Sequence, residues 1–137
     1  MNRAAPSKTL PHSVQTVNLK DYGTFSEYYN DVSNKSPPTF FCFTGTKKKG
    51  VNRWCRDFAE AEPVVKNVLN GIHKHVVFVF VDVGDREYWK NPQCPFRTDT
   101  RTKLMVIPTI IKWNGVQRLE GSQCNKAQLI EMMFEDE

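Results

Sequence analysis

The sequence predicts an α/β domain, a central mixed β-sheet with helices on both faces. Three observations carry that prediction. Two continuous apolar runs, 39–44 and 76–83, read as strands covered on both sides. Segments of helical spacing precede and separate them. An Asn114-Gly115 pair then marks a tight hairpin ahead of a closing amphipathic stretch. Alternating elements followed by a hairpin and a last helix place parallel and antiparallel pairings in one sheet.

Each element has its own signature. Val14 to Leu19 alternates weakly and suits an edge strand. Thr24 and Glu27 have capping-box spacing, and Phe25, Tyr28, Tyr29 and Val32 then recur at helical intervals to about Asn34. Pro37 and Pro38 stop that helix and lead into the run Thr39 to Thr44. Gly45 to Arg53 is a polar loop, with Trp54 and Cys55 at its end. From Asp57 the residues Phe58, Ala61, Val64, Val65, Val68 and Leu69 mark a second helix, closed by Gly71. Pro63 lies inside it, removes an N–H, and predicts a kink. After the strand Val76 to Val83, residues 84–102 carry Pro92 and Pro95 and read as irregular, with one helical turn near Arg86 to Lys90. Val106 to Trp113 is a strand interrupted by Pro108 near its start, and the hairpin returns along Val116 to Glu120. Asn125 and Gln128 have the spacing of another capping box, before a last helix lined by Leu129, Met132 and Met133.

Composition narrows the classes of function. A chain of 137 residues suits one core, expected over 14–137, preceded by a mobile tail at 1–13. The longest apolar run, Val76 to Val81, is far short of a membrane span. Met1 to Ser13 has no apolar core of a secretory signal, so a cytoplasmic protein is expected, acting as a monomer. The formal charge is +4, with Lys47, Lys48 and Lys49 together in one loop. Such a loop can touch an acidic partner or a phosphate backbone, but a solvated surface turn is the plainer reading. No basic stripe or nucleic-acid motif extends it, so no nucleic-acid partner is expected.

Four cysteines, Cys42, Cys55, Cys94 and Cys124, are scattered without a C-x-x-C pair. Zinc ligands normally come closely paired, and His73 and His75 sit at an expected helix-to-strand turn, so no metal and no bound cofactor is expected. Cys55 is the informative one. It follows a polar loop and directly precedes a helix, where unpaired N–H groups and the helix dipole favour a thiolate. Arg53 and Arg56 flank it and add positive charge, and Trp54 offers a flat wall beside the sulfur. A buried structural cysteine is the plain alternative, but Arg53, Arg56 and Asp57 are poor neighbours for a core position. Cys42 on a central strand reads as an inert core residue, although it could lie beneath Cys55. Cys94, between Pro92 and Pro95, is expected to be exposed, and Cys124 to be structural or incidental.

The run Trp54-Cys55-Arg56-Asp57-Phe58, with Pro63 five residues beyond Phe58, resembles the active-site segment of the thioredoxin superfamily. There the pattern is W-C-x-x-C with a proline five residues after the second cysteine. Ile107-Pro108-Thr109 resembles that superfamily's cis-proline motif. Phe43-Thr44-Gly45, Ala61-Glu62-Pro63-Val64-Val65, Tyr88-Trp89-Lys90 and the ending Leu129 to Phe134 are similar to one branch of it, across 14–136. The resemblance implies a thioredoxin fold and disulfide-reductase chemistry. Cys55 would be the nucleophile and Asp57 a candidate proton relay. Trp54, Arg56, Ile107 and Pro108 would meet the substrate. Tyr88 and Trp89 are read as core filling.

The branch carries W-C-P-D-C, whereas here Arg56 replaces the proline and Phe58 the second cysteine. A two-cysteine cycle needs that second thiol to resolve the mixed disulfide, and Phe58 cannot do so. The expectation is therefore a monothiol reductase acting on small or protein disulfides. An external thiol such as glutathione, or a thioredoxin-system reductase, would complete its cycle. The alternative expectation is a redox-inactive binding module using the groove around Trp54 and Pro108. A cluster-binding glutaredoxin-like site is a poorer fit, because Cys55-Arg56-Asp57-Phe58 is not C-G-F-S.

Overall fold

A computed structural model of the chain describes residues 13–47 and 54–135. The expected tail therefore lies outside the described residues except for Ser13, as do Lys48, Lys49 and Arg53. The elements run β1 (Gln15–Lys20), α1 (Tyr22–Asp31), β2 (Thr39–Thr44), α2 (Arg56–Asn70), β3 (Val77–Asp82), α3 (Arg86–Lys90), α4 (Pro95–Thr98), β4 (Thr109–Lys112) and β5 (Arg118–Glu120). A 3₁₀ turn (Gly121–Asn125) and α5 (Ala127–Glu135) close the chain.

The five strands form one mixed sheet in the order β1-β3-β2-β4-β5. β3 pairs parallel with both β1 and β2, while β4 runs antiparallel to β2 and β5. Every residue of β2 is buried, as its doubly apolar sequence requires. Alternation along it divides the core into two layers. Phe41 and Phe43 meet Phe25 of α1 edge-on, at 5.7 and 5.3 Å between ring centroids. Phe40, on the opposite face, lies 4.5 Å from Phe134 of α5 and stacks beside Phe78. Fully burying each such ring contributes about 2–3 kcal/mol, and these contacts fix β2 as the central platform below Cys55.

Local signals were displaced in three places. The cap of α1 is Asp21 rather than Thr24: its carboxylate accepts the Thr24 amide at 2.9 Å, and the helix ends at Asp31 instead of Asn34. A carboxylate just before the helix satisfies a first-turn amide and favours the positive end of the helix dipole, so the helix starts at Tyr22 and Thr24 lies inside its first turn. The late capping box forms on Glu120 and Gln123, not Asn125 and Gln128, because the chain first makes a 3₁₀ turn. α5 then starts at Ala127. Residues 84–102 hold two short helices, the second begun by Pro95, whose missing N–H suits a first helical position. The helical run of α2 is continuous through Pro63.

The hairpin follows its Asn-Gly signal. Ile110 faces Leu119 and Ile111 faces Arg118, with Asn114 at φ 63° in the turn. Leading into β4, residues 99–103 are tied down on both sides. Asp99 is bound by Arg101 at 2.7 Å and by the Tyr22 hydroxyl at 2.9 Å, and Arg101 also reaches Asn30 and Ser26 of α1. Burial opposes ionisation of Asp99, but the Arg101 and Tyr22 hydrogen bonds outweigh it and hold the carboxyl below its ordinary range. Arg118 of β5 donates to the Thr102 carbonyl at 2.8 Å.

Candidate active site

Cys55 is the N-cap residue of α2, with extended backbone (φ −87°, ψ 103°), and its carbonyl accepts the Ala59 amide at 3.0 Å. Its sulfhydryl donates to the Ile107 carbonyl at 3.5 Å. The following Ile107–Pro108 peptide bond is cis. The fold thus brings the start of α2 and the start of β4, 52 residues apart in sequence, to one point. Cys55 is 6% exposed and Ile107 8%, so the sulfur is nearly buried where the two segments meet.

Trp54, next to Cys55 in the chain, is half-buried and held by two glycines. Its indole N–H donates to the Gly84 carbonyl at 3.1 Å. Its ring covers Gly45 so closely that a Cβ there would lie 2.5 Å from it. Gly84 itself has φ +107°, favouring glycine, and is covered by the Tyr88 ring, 2.7 Å from where a Cβ would stand. Asp82 links the two supporting loops, accepting the Gly84 amide at 2.8 Å and the Thr46 hydroxyl at 2.6 Å.

The Ile107–Pro108 turn supplies the acceptor for Cys55. Thr109 Oγ1 donates to the Val106 carbonyl at 2.7 Å. The Pro108 carbonyl accepts both the Gly121 amide at 2.8 Å and the Cys124 sulfhydryl at 3.7 Å. Just before the turn, Met105 and Val106 are 74% and 42% exposed, an exposed apolar pair beside it.

The expected site residues divide as follows. Cys55, Ile107 and Pro108 come together, and Trp54 stands beside Cys55. Arg56 is exposed on the first turn of α2. Asp57 is half-buried, with Oδ2 3.8 Å from the position a Cβ would take at Gly121, so it faces the 3₁₀ turn. Phe58 is fully buried, its ring 6.5 Å edge-on from Phe80 of β3. Where a second thiol would stand, a phenyl ring fills the core.

The other cysteines are all buried. For Cys94 this corrects the expectation of exposure. It precedes α4, its amide bonds to the Asn91 carbonyl at 2.9 Å, and it is 2% exposed within the core cluster. The prolines around it make a compact helical corner rather than an open loop. Cys42 is fully buried on β2. Cys124 is fully buried too, and burial pushes its thiol up to about 12; Asp57, Cys55 and Glu120 add to the effect. Tyr88 and Trp89 part company: Trp89 is core, whereas Tyr88 is 43% exposed above Gly84. Gly45 stood out only within the Phe43-Thr44-Gly45 run, and neither Gly84 nor the exposed Met105-Val106 pair carries a local sequence signal. The glycines offered a signal only in hindsight of the rings that cover them. His73 and His75 are exposed, and among the described residues no group of three His, Cys, Asp or Glu could hold a metal ion.

A five-stranded mixed sheet, a cysteine at the N-cap position of the second helix and a cis-proline turn against its sulfur define a thioredoxin-fold domain. Residues 18–136 match the thioredoxin domain of the thioredoxin domain-containing protein 17-like family, and the chain belongs to that family. It is 38% identical over 114 residues to human thioredoxin domain-containing protein 17, covering 82% of this chain and 91% of that protein. The Arabidopsis thaliana thioredoxin-like protein Clot is 32% identical over 111 residues, covering 78% and 83%. Reduced Schistosoma mansoni thioredoxin superposes with a TM-score of 0.53 at 18% identity, covering 89% and 98%, which supports the fold.

Proposed function

We propose that this chain is a monothiol disulfide reductase in which Cys55 is the nucleophile. The observation that carries the reading is the placement of Cys55 at the N-cap position of α2. The N–H groups and dipole at that helix start favour a thiolate. The thiolate attacks one sulfur of a substrate disulfide, forming a mixed disulfide and expelling the other sulfur as a thiolate. Phe58 cannot displace the bound half, so an external thiol attacks the mixed disulfide and regenerates Cys55. Glutathione suits that role by chemistry, with a thioredoxin-system reductase as the other source of electrons. Trp54, Arg56, Ile107 and Pro108 border the substrate, together with Met105 and Val106. Asp57, two residues after Cys55, is the proposed proton relay for the leaving sulfur. No organic cofactor or metal enters either step, and the chemistry belongs to a reducing compartment such as the cytoplasm, with the protein acting as a monomer.

A second reading is favoured by Phe58 being fully buried: the groove around Trp54 and Pro108 receives an extended peptide and no reduction follows. Incubation with a small disulfide, followed by mass analysis of the intact chain and its peptides, separates the two. The reductase reading expects one adduct, on Cys55, removed by glutathione. An unmodified Cys55 in folded protein would leave the binding module.

A further inference from the structure

We propose that Cys124 is a positioning residue: its sulfhydryl, with the Gly121 amide, holds the Ile107–Pro108 turn so that the Ile107 carbonyl stays against the Cys55 sulfur. The proposal rests on the reading of Cys55 as the reactive thiol and extends it to a residue outside the active-site segment.

The argument begins with where each hydrogen bond goes. The 3₁₀ turn Gly121–Asn125 follows β5 directly and lies against α2 and β4. From it, the single Cys124 S–H proton is within reach of two carbonyls, Leu119 at 3.5 Å and Pro108 at 3.7 Å, and serves one of them at a time. Gly121, at φ +60°, turns its amide onto the same Pro108 carbonyl at 2.8 Å. The Pro108 carbonyl is thus held by the Gly121 amide and, whenever the Cys124 proton turns from Leu119 to it, by a second donor from the same turn. Its neighbour, the Ile107 carbonyl, is the acceptor for Cys55. Two adjacent carbonyls of one rigid turn therefore face two sulfurs, one reactive and one not. Moving the first carbonyl moves the second.

Chemistry suits Cys124 to this post. It is fully buried, and its thiol, raised to about 12, stays protonated and remains a donor across the working pH range. The titratable groups acting on it are Asp57 on α2, Glu120 at the end of β5 and Cys55 itself. A neutral Cys124 adds no second anion beside a Cys55 thiolate. It is equally a poor candidate for a resolving thiol, since the thiolate is the attacking form.

The consequence has a sign. A carbonyl that accepts from the Cys55 S–H stabilises the thiol and opposes the thiolate. If the turn is released, that restraint weakens and Cys55 ionises at lower pH. Loss of one weak hydrogen bond corresponds to a drop of about half a pH unit in the midpoint, roughly threefold in the ionisation constant.

The test is the rate of iodoacetamide alkylation of Cys55 against pH, read on the Cys55 peptide, for the natural chain, Cys124→Ala, Cys124→Val and Cys124→Ser. Alanine and valine both remove the donor, and valine fills the space if the alanine variant fails to fold. Serine keeps a donor. The expected result is a midpoint lowered by about half a unit with alanine or valine and near the natural value with serine. An unchanged midpoint in a folded donor-less variant, or an equal shift with serine, overturns the positioning role while leaving the reductase reading intact. A Cys55 in the natural chain that does not react at any pH would overturn both.

Discussion

Replacing Phe58 by cysteine tests whether the rest of the site is competent for dithiol chemistry. Phe58 stands three residues after Cys55, on the same face of the first turn of α2, where a sulfur can approach the Cys55 sulfur. The side chain is fully buried against Phe80, so removing most of the ring leaves a cavity. Truncating a buried phenylalanine to alanine costs about 3–5 kcal/mol, and the retained sulfur brings the expected loss to about 2–4 kcal/mol. A domain with a total of about 5–15 kcal/mol survives that, with a melting temperature lower by about 10 °C. The functional assay is a single turnover against excess small disulfide with no glutathione present. The natural chain is expected to release one thiol per molecule and stop as the mixed disulfide. Phe58→Cys is expected to release two, ending as an intramolecular Cys55–58 disulfide. A folded variant that releases only one thiol would refute the argument that residue 58 alone separates this site from a two-cysteine cycle.

Other consequences follow from the same geometry. Native alkylation should label Cys55, 6% exposed at a helix start, ahead of Cys42, Cys94 and Cys124, which are 0–2% exposed and should react only on unfolding, read as the mass added before and after denaturant. Early labelling of Cys94 would contradict its burial. Gly45→Ala should displace the Trp54 ring, since a Cβ would lie 2.5 Å from it, and should raise KM for disulfides more than it lowers kcat. Unchanged KM would separate Trp54 from substrate binding. Arg101→Ala should cost about 2–3 kcal/mol at pH 7 by leaving the buried Asp99 carboxylate without its cation. The folded Asp99 pKa is lowered, so its contribution is complete above the unfolded value near 4 and fades as pH falls through the folded one. The deficit of Arg101→Ala, measured by denaturant unfolding, should therefore shrink in acid. A deficit that is constant down to pH 2 would assign the loss to packing alone.

Much of this molecule was legible in its sequence where a signal is local and unopposed. The doubly apolar runs at 39–44 and 76–83 became β2 and β3, because such runs are stable only between two covered faces. Asn114-Gly115 fixed the hairpin, and Cys55 emerged at a helix start because the polar loop, the cysteine and the periodic α2 residues adjoin in sequence. What escaped depends on competition or on distance. Asp21 displaced Thr24 as the cap, since several side chains near a helix start compete for the same amides. Cys94 was buried by a helical corner that its flanking prolines signal only as irregular. The aromatic covers over Gly45 and Gly84, and the convergence of Cys124 and Gly121 on the Pro108 carbonyl, arise between segments far apart in the chain. No window along the sequence contains both partners.

The most direct measurement of the central claim is steady-state reduction of cystine with glutathione as the sole reductant, in the natural chain and in Cys55→Ser. The account predicts turnover above the uncatalysed rate that rises with glutathione concentration and vanishes in Cys55→Ser. Equal rates with and without the natural chain, in protein shown to be folded, would contradict it.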